Sequence, residues 1–235
     1  MDIYSRIFNI SELNFFGCTS RLHVDSIRKT YHEKKILRDI FLSCEDGEIV
    51  GLLGRNDTGK LTLLQIIFGV LSADFSFVRF GEKVMKTQWD RKNIIAYLPQ
   101  YSFLPKNIKI AQLAKLFCNK NHRNSELLAG FSEEKIKNLS VGEARLIEIL
   151  FIIYSDAKIA LLDEPFHSLS PKIISIIKEE IKEEIKKLKT EKGFIISDHQ
   201  YEDVLEISDK NALLVNGSLQ VIEDLTDLKF HKYIP

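Results

Sequence analysis

A glycine-rich segment that ends in a lysine is the part of the sequence best suited to bind phosphate. It follows the apolar run IVGLL and precedes KLTLLQIIF, a pattern that predicts a buried strand leading into a helix. Backbone N–H groups of such a loop carry partial positive charge, and Lys60 would add a full charge at the β- and γ-phosphates of a nucleotide. The residues predicted to bind the nucleotide are Gly54, Arg55, Asn56, Asp57, Thr58, Gly59, Lys60, Leu61 and Thr62.

This loop departs from the usual phosphate-binding pattern at two positions. The residue after the lysine normally carries a hydroxyl that binds Mg²⁺, and here it is Leu61. Thr62 comes next, but one step along a helix turns a side chain by about 100°, so it is a poor substitute. Asp57 brings a carboxylate that would repel a phosphate by roughly 1 kcal/mol in water and 4 kcal/mol at an intermediate dielectric. Both changes predict a weakened site for Mg²⁺ and triphosphate.

Several short apolar runs predict buried strands, and polar residues stand at the ends of three of them. The runs lie at residues 49–54, 94–98, 158–163 and 193–197. The polar residues at their ends are Gln100 after IIAYLP, Asp163 and Glu164 in ALLDEP, and His199 after GFIISD.

Two hydrolytic arrangements suggested by these residues fail on geometry. Ser197, Asp198 and His199 are the residue types of a hydrolytic triad, but neighbours in a strand point to opposite faces. Triad members are normally gathered from separate segments. The same alternation argues against Asp163 and Glu164 as a pair of glycosidase carboxylates.

The remaining patterns predict one hairpin and several helices. Asn216-Gly217 lies between NALLV and SLQVI, and this dipeptide supplies the positive φ angles of a type I′ turn. A mostly helical stretch is predicted at roughly 103–156, between two of the strands. An amphipathic helix is predicted at 172–191, with an apolar face formed by Ile173, Ile177, Ile181, Ile185 and Leu188.

Length and composition limit the classes of protein that the chain can be. Its 235 residues suffice for one large α/β domain, and 45% apolar with 28% charged residues is typical of a soluble globular protein. A formal net charge of zero gives no sign of a nucleic-acid partner. The longest apolar run, Ile149–Tyr154, is far shorter than the roughly 20 residues of a membrane span, so we expect any membrane role to come through a partner. Residues 1–20 make a poor signal peptide, and we expect a cytoplasmic protein.

The order of these segments resembles the ATP-binding cassette (ABC) family over about residues 21–222. Leu139-Ser-Val-Gly-Glu143 is close to that family's LSGGQ signature, which other phosphate-loop proteins lack. The resemblance implies an α/β fold: a P-loop NTPase core with a mainly parallel sheet, an N-terminal antiparallel β subdomain, and an inserted helical subdomain at about residues 101–140. It divides the chain into an N-terminal extension at 1–20 and an ABC ATP-binding domain at 21–235.

The resemblance also implies a role for each matching residue, with ATP and Mg²⁺ bound. Tyr31 would stack on adenine, although a core aromatic is the alternative. Asp163 would hold Mg²⁺, and Glu164 would activate the attacking water as general base. Gln100 would contact the metal and the water, and His199 would contact the γ-phosphate; a plain loop glutamine and a structural histidine are the alternatives.

The signature implies a second subunit. Ser140, Val141, Gly142 and Glu143 would bind the γ-phosphate of ATP held by another copy, at the N-terminus of a helix. That geometry requires a head-to-tail dimer, either a homodimer or a heterodimer with a second cassette. The resemblance further implies a transmembrane permease as partner, with this chain peripheral on the cytoplasmic face of the membrane.

Departures from the family pattern leave three hypotheses open. Arg55 replaces the usual proline, Val141 replaces a signature glycine, and Ser170 replaces the aspartate of the dimer-contact loop. The first hypothesis is an active transport ATPase. The second, motivated by Leu61 and Asp57, is a catalytically impaired partner in a heterodimeric pair. The third is a cassette ATPase that acts without a permease.

Overall fold

Two β-sheets organise the chain, which we describe from a computed structural model over residues 21–187 and 192–234. The predicted N-terminal extension at 1–20, Leu188 and the predicted end of its helix lie outside the described residues. The smaller sheet has four antiparallel strands in the order β2-β1-β4-β5. These strands are β1 (Leu22–Tyr31), β2 (Lys34–Cys44), β4 (Phe75–Phe80) and β5 (Lys83–Val84).

The larger sheet has six strands in the order β10-β9-β3-β8-β7-β6. All of its pairings are parallel except β9 with β10. The predicted α/β fold, with a mainly parallel sheet and an antiparallel N-terminal region, is therefore confirmed. The strands are β3 (Ile49–Leu53), β6 (Ile95–Leu98), β7 (Ile159–Asp163), β8 (Gly193–Ser197), β9 (Lys210–Val215) and β10 (Ser218–Ile222).

The hairpin between β9 and β10 has the predicted turn. Asn216 and Gly217 both adopt positive φ, at 51° and 80°, as a type I′ turn requires. A Cβ on Gly217 would lie 2.8 Å from the carbonyl oxygen of Ile36, and the amide of Arg38 donates to the carbonyl of Gly217 at 2.7 Å. Glycine is therefore needed both for the turn and for the close approach of β2.

Helices cover the larger sheet on one face, and α1 with the smaller sheet covers the other. Strand β7 shows the division, because Ala160 and Leu162 pack in one apolar cluster while Ile159 and Leu161 pack in the other. Both faces are buried, which explains why these strands are continuous apolar runs. The helices are α1 (Lys60–Phe68), α2 (Gln88–Arg91), α3 (Ile110–Phe117), α4 (Glu126–Ala129), α5 (Val141–Ile153), α6 (Pro171–Lys187), α7 (Tyr201–Ile207) and α8 (Leu225–Phe230).

One predicted helix is present at nearly its full extent, whereas the predicted helical segment is only partly helical. Helix α6 begins at Pro171, one residue before the predicted start, and buries Ile177 and Ile181 completely. The segment 101–140, predicted as an inserted helical subdomain, contains α3, α4 and a 3₁₀ helix at Ile136–Asn138, with turns between them. Across the described parts of the chain, every helix is too short or too polar to cross a lipid bilayer.

Candidate functional site

The phosphate loop connects β3 to α1, as its sequence predicted. Gly54 and Gly59 adopt φ values of 155° and 107°. A Cβ on Gly54 would lie 2.8 Å from Thr58 Oγ1, and one on Gly59 would lie 2.8 Å from the side chain of Ile36. Larger residues would therefore be strained and crowded at both positions. The two glycines let the loop close tightly before the N-terminus of α1, and a loop of this kind is suited to bind an anion.

Lys60 is held at the base of this loop. Its side chain is buried, and Nζ donates hydrogen bonds to the carbonyl oxygens of Gly54 at 2.6 Å and Arg55 at 3.0 Å. Burial lowers the pKa of Lys60, and nearby carboxylates, Glu164 first and then Asp163, act against that effect. The amine is thus placed between the loop and the acidic end of β7, where a phosphate group would have to lie.

Leu61 and Asp57 are the two residues in the loop region that depart from the usual phosphate-binding pattern. Leu61 is 42% exposed in the first turn of α1, where the usual pattern has a hydroxyl. Thr62 is half-buried one position further along the helix. Asp57 is exposed and adopts a positive φ of 61°, a conformation that aspartate tolerates better than most residues.

Arg55 and the end of the chain form a contact that sequence reasoning missed. Arg55 Nη2 donates to the carbonyl oxygen of Lys232 at 2.5 Å. Tyr233, half-buried beside it, has its pKa raised mainly by burial and lowered in part by a hydrogen bond with the backbone of Gly54. The segment after α8 therefore lies against the phosphate loop. The sequence contained no local signal for this contact, because the two segments are far apart along the chain.

The acidic end of β7 lies at the carboxyl edge of the larger sheet. Asp163 is 4% exposed, and burial raises its pKa from 3.8 to about 6, with the neighbouring Glu164 carboxylate acting in the same direction. The hydroxyl of Tyr97 donates to Asp163 Oδ2 at 3.3 Å. Glu164 adopts a positive φ of 47° and its amide donates to the carbonyl oxygen of Ser197 at 2.6 Å. This unusual backbone turns Glu164 away from the strand, a kind of strain that clusters at functional sites.

Gln100 and His199 converge on Glu164. Gln100 Nε2 donates to Glu164 Oε2 at 2.8 Å. His199 Nδ1 lies 3.9 Å from Glu164 Oε1 and 3.4 Å from the buried Asp198 Oδ1. Strands β6, β7 and β8 are neighbours in a parallel sheet, so their carboxyl ends meet at one edge. The topology thus brings together three side chains that are far apart along the chain.

The signature segment caps helix α5. Ser140 Oγ accepts from the amide of Glu143 at 3.3 Å, and Glu143 Oε2 accepts from the amide of Ser140 at 2.9 Å. The Ser140 hydroxyl, which donates to Glu143 Oε2 at 2.7 Å, and the Ser140 amide lower the pKa of the Glu143 carboxyl. Val141 is 86% exposed, whereas a Cβ on Gly142 would lie 3.0 Å from Ile173. The segment is a capping box at the protein surface, open to a second molecule.

Tyr31 lies at the end of β1, in the smaller sheet. It is 40% exposed, and Lys29 Nζ lies 5.0 Å from the centre of its ring. The ring is therefore accessible rather than part of the core. Its predicted stacking on adenine stays a prediction.

Arg145 is a site residue that sequence reasoning missed. Its guanidinium donates to the carbonyl oxygens of Pro99 at 2.8 Å and Asp163 at 3.0 Å, and pairs with Glu148 at 3.2 Å. The arginine therefore ties the segment that carries Gln100 to the end of β7. Arg145 and Glu148 interrupt an apolar stretch at a spacing of three residues, and this pattern was a signal for a buried ion pair on a helix.

The Ser197-Asp198-His199 segment has no triad geometry, as its sequence indicated. Ser197 is fully buried, and its hydroxyl has no hydrogen-bond partner within the described residues. Asp198 accepts instead from the backbone amides of Phe166 at 3.0 Å and Gln200 at 3.0 Å. The Asp198 carboxyl group, whose pKa is raised by burial, is therefore a structural acceptor that also faces the ring of His199.

The site around Asp163 offers oxygen ligands that suit Mg²⁺, but it offers fewer of them than a usual phosphate-loop site. Mg²⁺ prefers oxygen ligands and is commonly bound through one or two carboxylates, phosphate oxygens and water. Asp163 would supply a carboxylate and Gln100 an amide oxygen, whereas Leu61 would supply no ligand. The residues therefore fit the ion, with phosphate and water left to complete its coordination.

Comparison with known proteins identifies the family of the chain. The family model described as ABC transporter matches residues 37–167. The chain is 27% identical over 213 residues to an uncharacterised ABC transporter ATP-binding protein of Methanocaldococcus jannaschii, covering 84% of this chain and 75% of that one. It is 28% identical over 216 residues to the lipopolysaccharide export system ATP-binding protein LptB of Escherichia coli K12, covering 84% and 88%.

The chain also resembles parts of longer proteins and the fold of a solved structure. The chain spans only 25% to 62% of several other relatives. The solved structure of an ATP-binding cassette of an ABC transporter superposes with a TM-score of 0.78 at 23% identity, covering 92% of this chain and 99% of that one, which shows the shared fold. Because the family model covers more than half of the chain, the protein belongs to the ABC transporter family, as an ATP-binding subunit.

Proposed function

We propose that this chain binds and hydrolyses ATP with Mg²⁺ in a head-to-tail dimer, and that the reaction drives transport by a separate membrane permease. The observation that supports the proposal most directly is the meeting of Lys60, Asp163, Glu164, Gln100 and His199 at one edge of the larger sheet. These residues come from a phosphate loop and three strand ends, and their chemistry matches the demands of phosphoryl transfer to water.

Each side chain has a defined task in this proposal. Lys60, released from the carbonyls of Gly54 and Arg55, neutralises charge on the β- and γ-phosphates. Glu164 accepts the proton of the attacking water, a task typically worth about 10²–10⁴-fold in rate. Gln100 already contacts the Glu164 carboxylate and would orient it and the water, while His199 would contact the γ-phosphate. Bound Mg²⁺, held by Asp163 and Gln100, would supply charge neutralisation at the phosphates.

The second half of each site would come from another subunit. Ser140 and the amide of Gly142 stand at the exposed N-terminus of α5, where partial positive charge favours a phosphate. An ATP molecule would thus lie between the phosphate loop of one copy and the capping box of the other. The partner is either a second copy or another cassette.

Coupling to a permease would use the surface beside Gln100. A cleft of about 770 Å³ next to Glu164 has a lining that includes Gln100, Tyr101, Val141 and Leu169. Movement of Gln100 with the state of the nucleotide would change this surface. We therefore propose that the protein works at the cytoplasmic face of a membrane, bound to a permease.

ATP binding and turnover test the proposal with two variants and a control. Lys60→Ala is expected to abolish saturable binding of labelled ATP. Glu164→Gln is expected to keep binding and lower Mg²⁺-dependent turnover by about 10²–10⁴-fold. Glu82→Gln changes an exposed carboxylate in the turn between β4 and β5 and should hydrolyse like the parent. Equal turnover in Glu164→Gln and Glu82→Gln would contradict the proposed base.

A second candidate function is that of a catalytically impaired partner in a heterodimer. The exposed Leu61, with Asp57 in the loop, supports this alternative because the chain's own site lacks a metal-binding hydroxyl. Under this alternative the capping box at Ser140 would complete the competent site of a different cassette.

Restoring the hydroxyl distinguishes the two functions. Leu61→Ser is expected to raise Mg²⁺-dependent turnover if the chain's own site is used, because it supplies the missing oxygen ligand. Leu61→Ala is the matched control, since it removes the leucine without adding a ligand. Equal rates in both variants would favour a site that has fallen out of use.

A further inference from the structure

Two histidines and the Glu164 carboxylate form a cluster that the proposed hydrolysis does not fully use. One ligand atom each from Glu164, His167 and His199 lies within 4.8 Å of the other two. The rings of His167 and His199 are 5.2 Å apart. His167 has no part in the ATP chemistry proposed above, and it lies on the segment that follows β7.

We propose that these three residues form a binding site for Zn²⁺. Two imidazole nitrogens with one carboxylate and an open fourth position are a zinc ligand set, whereas Mg²⁺ prefers oxygen ligands alone. Ligands at about 2.0–2.1 Å from a tetrahedral ion lie roughly 3.3 Å apart. The side chains therefore need to approach by about an ångström or more, which rotation of the exposed His167 and His199 allows.

The surroundings hold two of the ligands in place. Asp198 is fully buried, and its Oδ1 lies 3.4 Å from His199 Nδ1. A carboxylate behind an imidazole is the usual support of a zinc-binding histidine, because it orients the ring. Two hydrogen bonds position Glu164. Its backbone amide donates to the Ser197 carbonyl oxygen, and its side-chain Oε2 accepts from Gln100 Nε2 at 2.8 Å. His199 and Glu164 therefore start from supported positions, and ring rotation of His167 and His199 closes the remaining distance.

The consequence of zinc binding would be inhibition, and this part rests on the proposed ATP hydrolysis. A Zn²⁺ ion on Glu164 would occupy the carboxylate that has to accept a proton from water. It would also draw His199 away from the γ-phosphate. Zinc at this site therefore stops turnover without competing with ATP at the phosphate loop.

Zinc binding is measured on the untagged, nucleotide-free protein by competition with a chromophoric chelator. His167→Asn is expected to weaken binding by about tenfold or more, since even residues behind the ligands change metal affinity by roughly 10- to 100-fold. His32→Asn is the matched control, because His32 is exposed in the β1–β2 turn and asparagine tolerates its φ of 43°. Equal zinc affinity in the parent and His167→Asn, or no binding by the parent, would overturn the site.

Two further measurements distinguish zinc binding at the site from inhibition of turnover by the bound zinc. Co²⁺ in place of Zn²⁺ should produce visible absorption in the parent and His32→Asn but not in His167→Asn. Micromolar zinc should inhibit Mg²⁺-dependent turnover in the parent and much less in His167→Asn, whose turnover without zinc should match the parent. Equal inhibition of both would refute the inhibitory role. A parent protein without ATPase activity would refute the proposed function instead, and the binding measurements would still decide the zinc site.

Discussion

Asparagine in place of Asp163 is expected to make the folded protein more stable near neutral pH, although the proposed reaction needs the carboxylate. Asp163 is 4% exposed at the end of β7. Burial and then the Glu164 carboxylate raise its pKa, against the opposite effects of Tyr97, Lys60 and Arg145, and the net change is from 3.8 to about 6. The charged side chain is therefore a cost to folding that the site retains for function.

The size and the sign of this cost follow from the change in pKa. A carboxyl whose pKa rises from 3.8 to about 6 on folding binds its proton more tightly in the native state, so its ionisation destabilises the fold. Each tenfold change in the equilibrium is worth about 1.4 kcal/mol, which makes the cost about 3 kcal/mol. It is fully present above the folded pKa, shrinks as the pH falls through about 6, and vanishes below the unfolded pKa.

Urea unfolding at two pH values checks this reasoning. Asp163→Asn should raise the free energy of unfolding by about 2–3 kcal/mol at about pH 8, slightly less than the full cost because Lys60 loses an acidic neighbour. The gain should shrink to about half of that value at about pH 5. Asp156→Asn is the control, because Asp156 is exposed and a surface change of this kind stays within about 0.5 kcal/mol.

The outcome that refutes the argument is equally specific. A stability difference that is the same at both pH values would show that ionisation of Asp163 is not its cause. Loss of stability in Asp163→Asn at the higher pH would show that attraction of the Asp163 carboxylate to Lys60 and Arg145 outweighs the cost of its burial. In either case the variant should lose Mg²⁺-dependent turnover, because the proposed metal ligand is gone.

Two further predictions concern the supports of the site. Arg145→Met should lower the free energy of unfolding by about 3–5 kcal/mol, because it leaves the buried Glu148 without its cation; urea unfolding measures the loss, and adding Glu148→Gln should recover part of it. No recovery would place the loss elsewhere. Ser140→Ala should cost about 1 kcal/mol through loss of the α5 cap, while Ser140→Thr keeps it. Equal unfolding midpoints for these two variants would contradict the capping role.

Local patterns were sufficient to predict the elements that carry the site. The buried strands, the Asn216-Gly217 turn and the strand–loop–helix around Lys60 each depend on residues close together in the sequence. The resemblance to the ABC family, rather than any local pattern, implied that Gln100, Glu164 and His199 act together at one site. The structure brings both partners to the Glu164 carboxylate: Gln100 forms a hydrogen bond with it, and His199 lies about 4 Å from it.

Contacts between distant segments could not be read in the same way. The pairing of β1 with β4 joins segments on either side of the phosphate loop and α1. The contact between Arg55 and Lys232 joins segments 177 residues apart. Neither contact leaves a periodic or compositional trace, because each depends on how whole elements pack rather than on the residues beside it.

The amino-acid sequence by itself therefore determined the family, the phosphate loop and the positions of the core strands along the chain, since apolar periodicity and short motifs are local properties. Only the tertiary structure decided that Arg145 joins Pro99 to Asp163, that Glu164 turns out of its strand, and that His167 faces His199. These arrangements depend on the packing of α5 and β7 and on the path of the chain after β7. Packing of this kind is a property of the assembled core and is not encoded in any single segment.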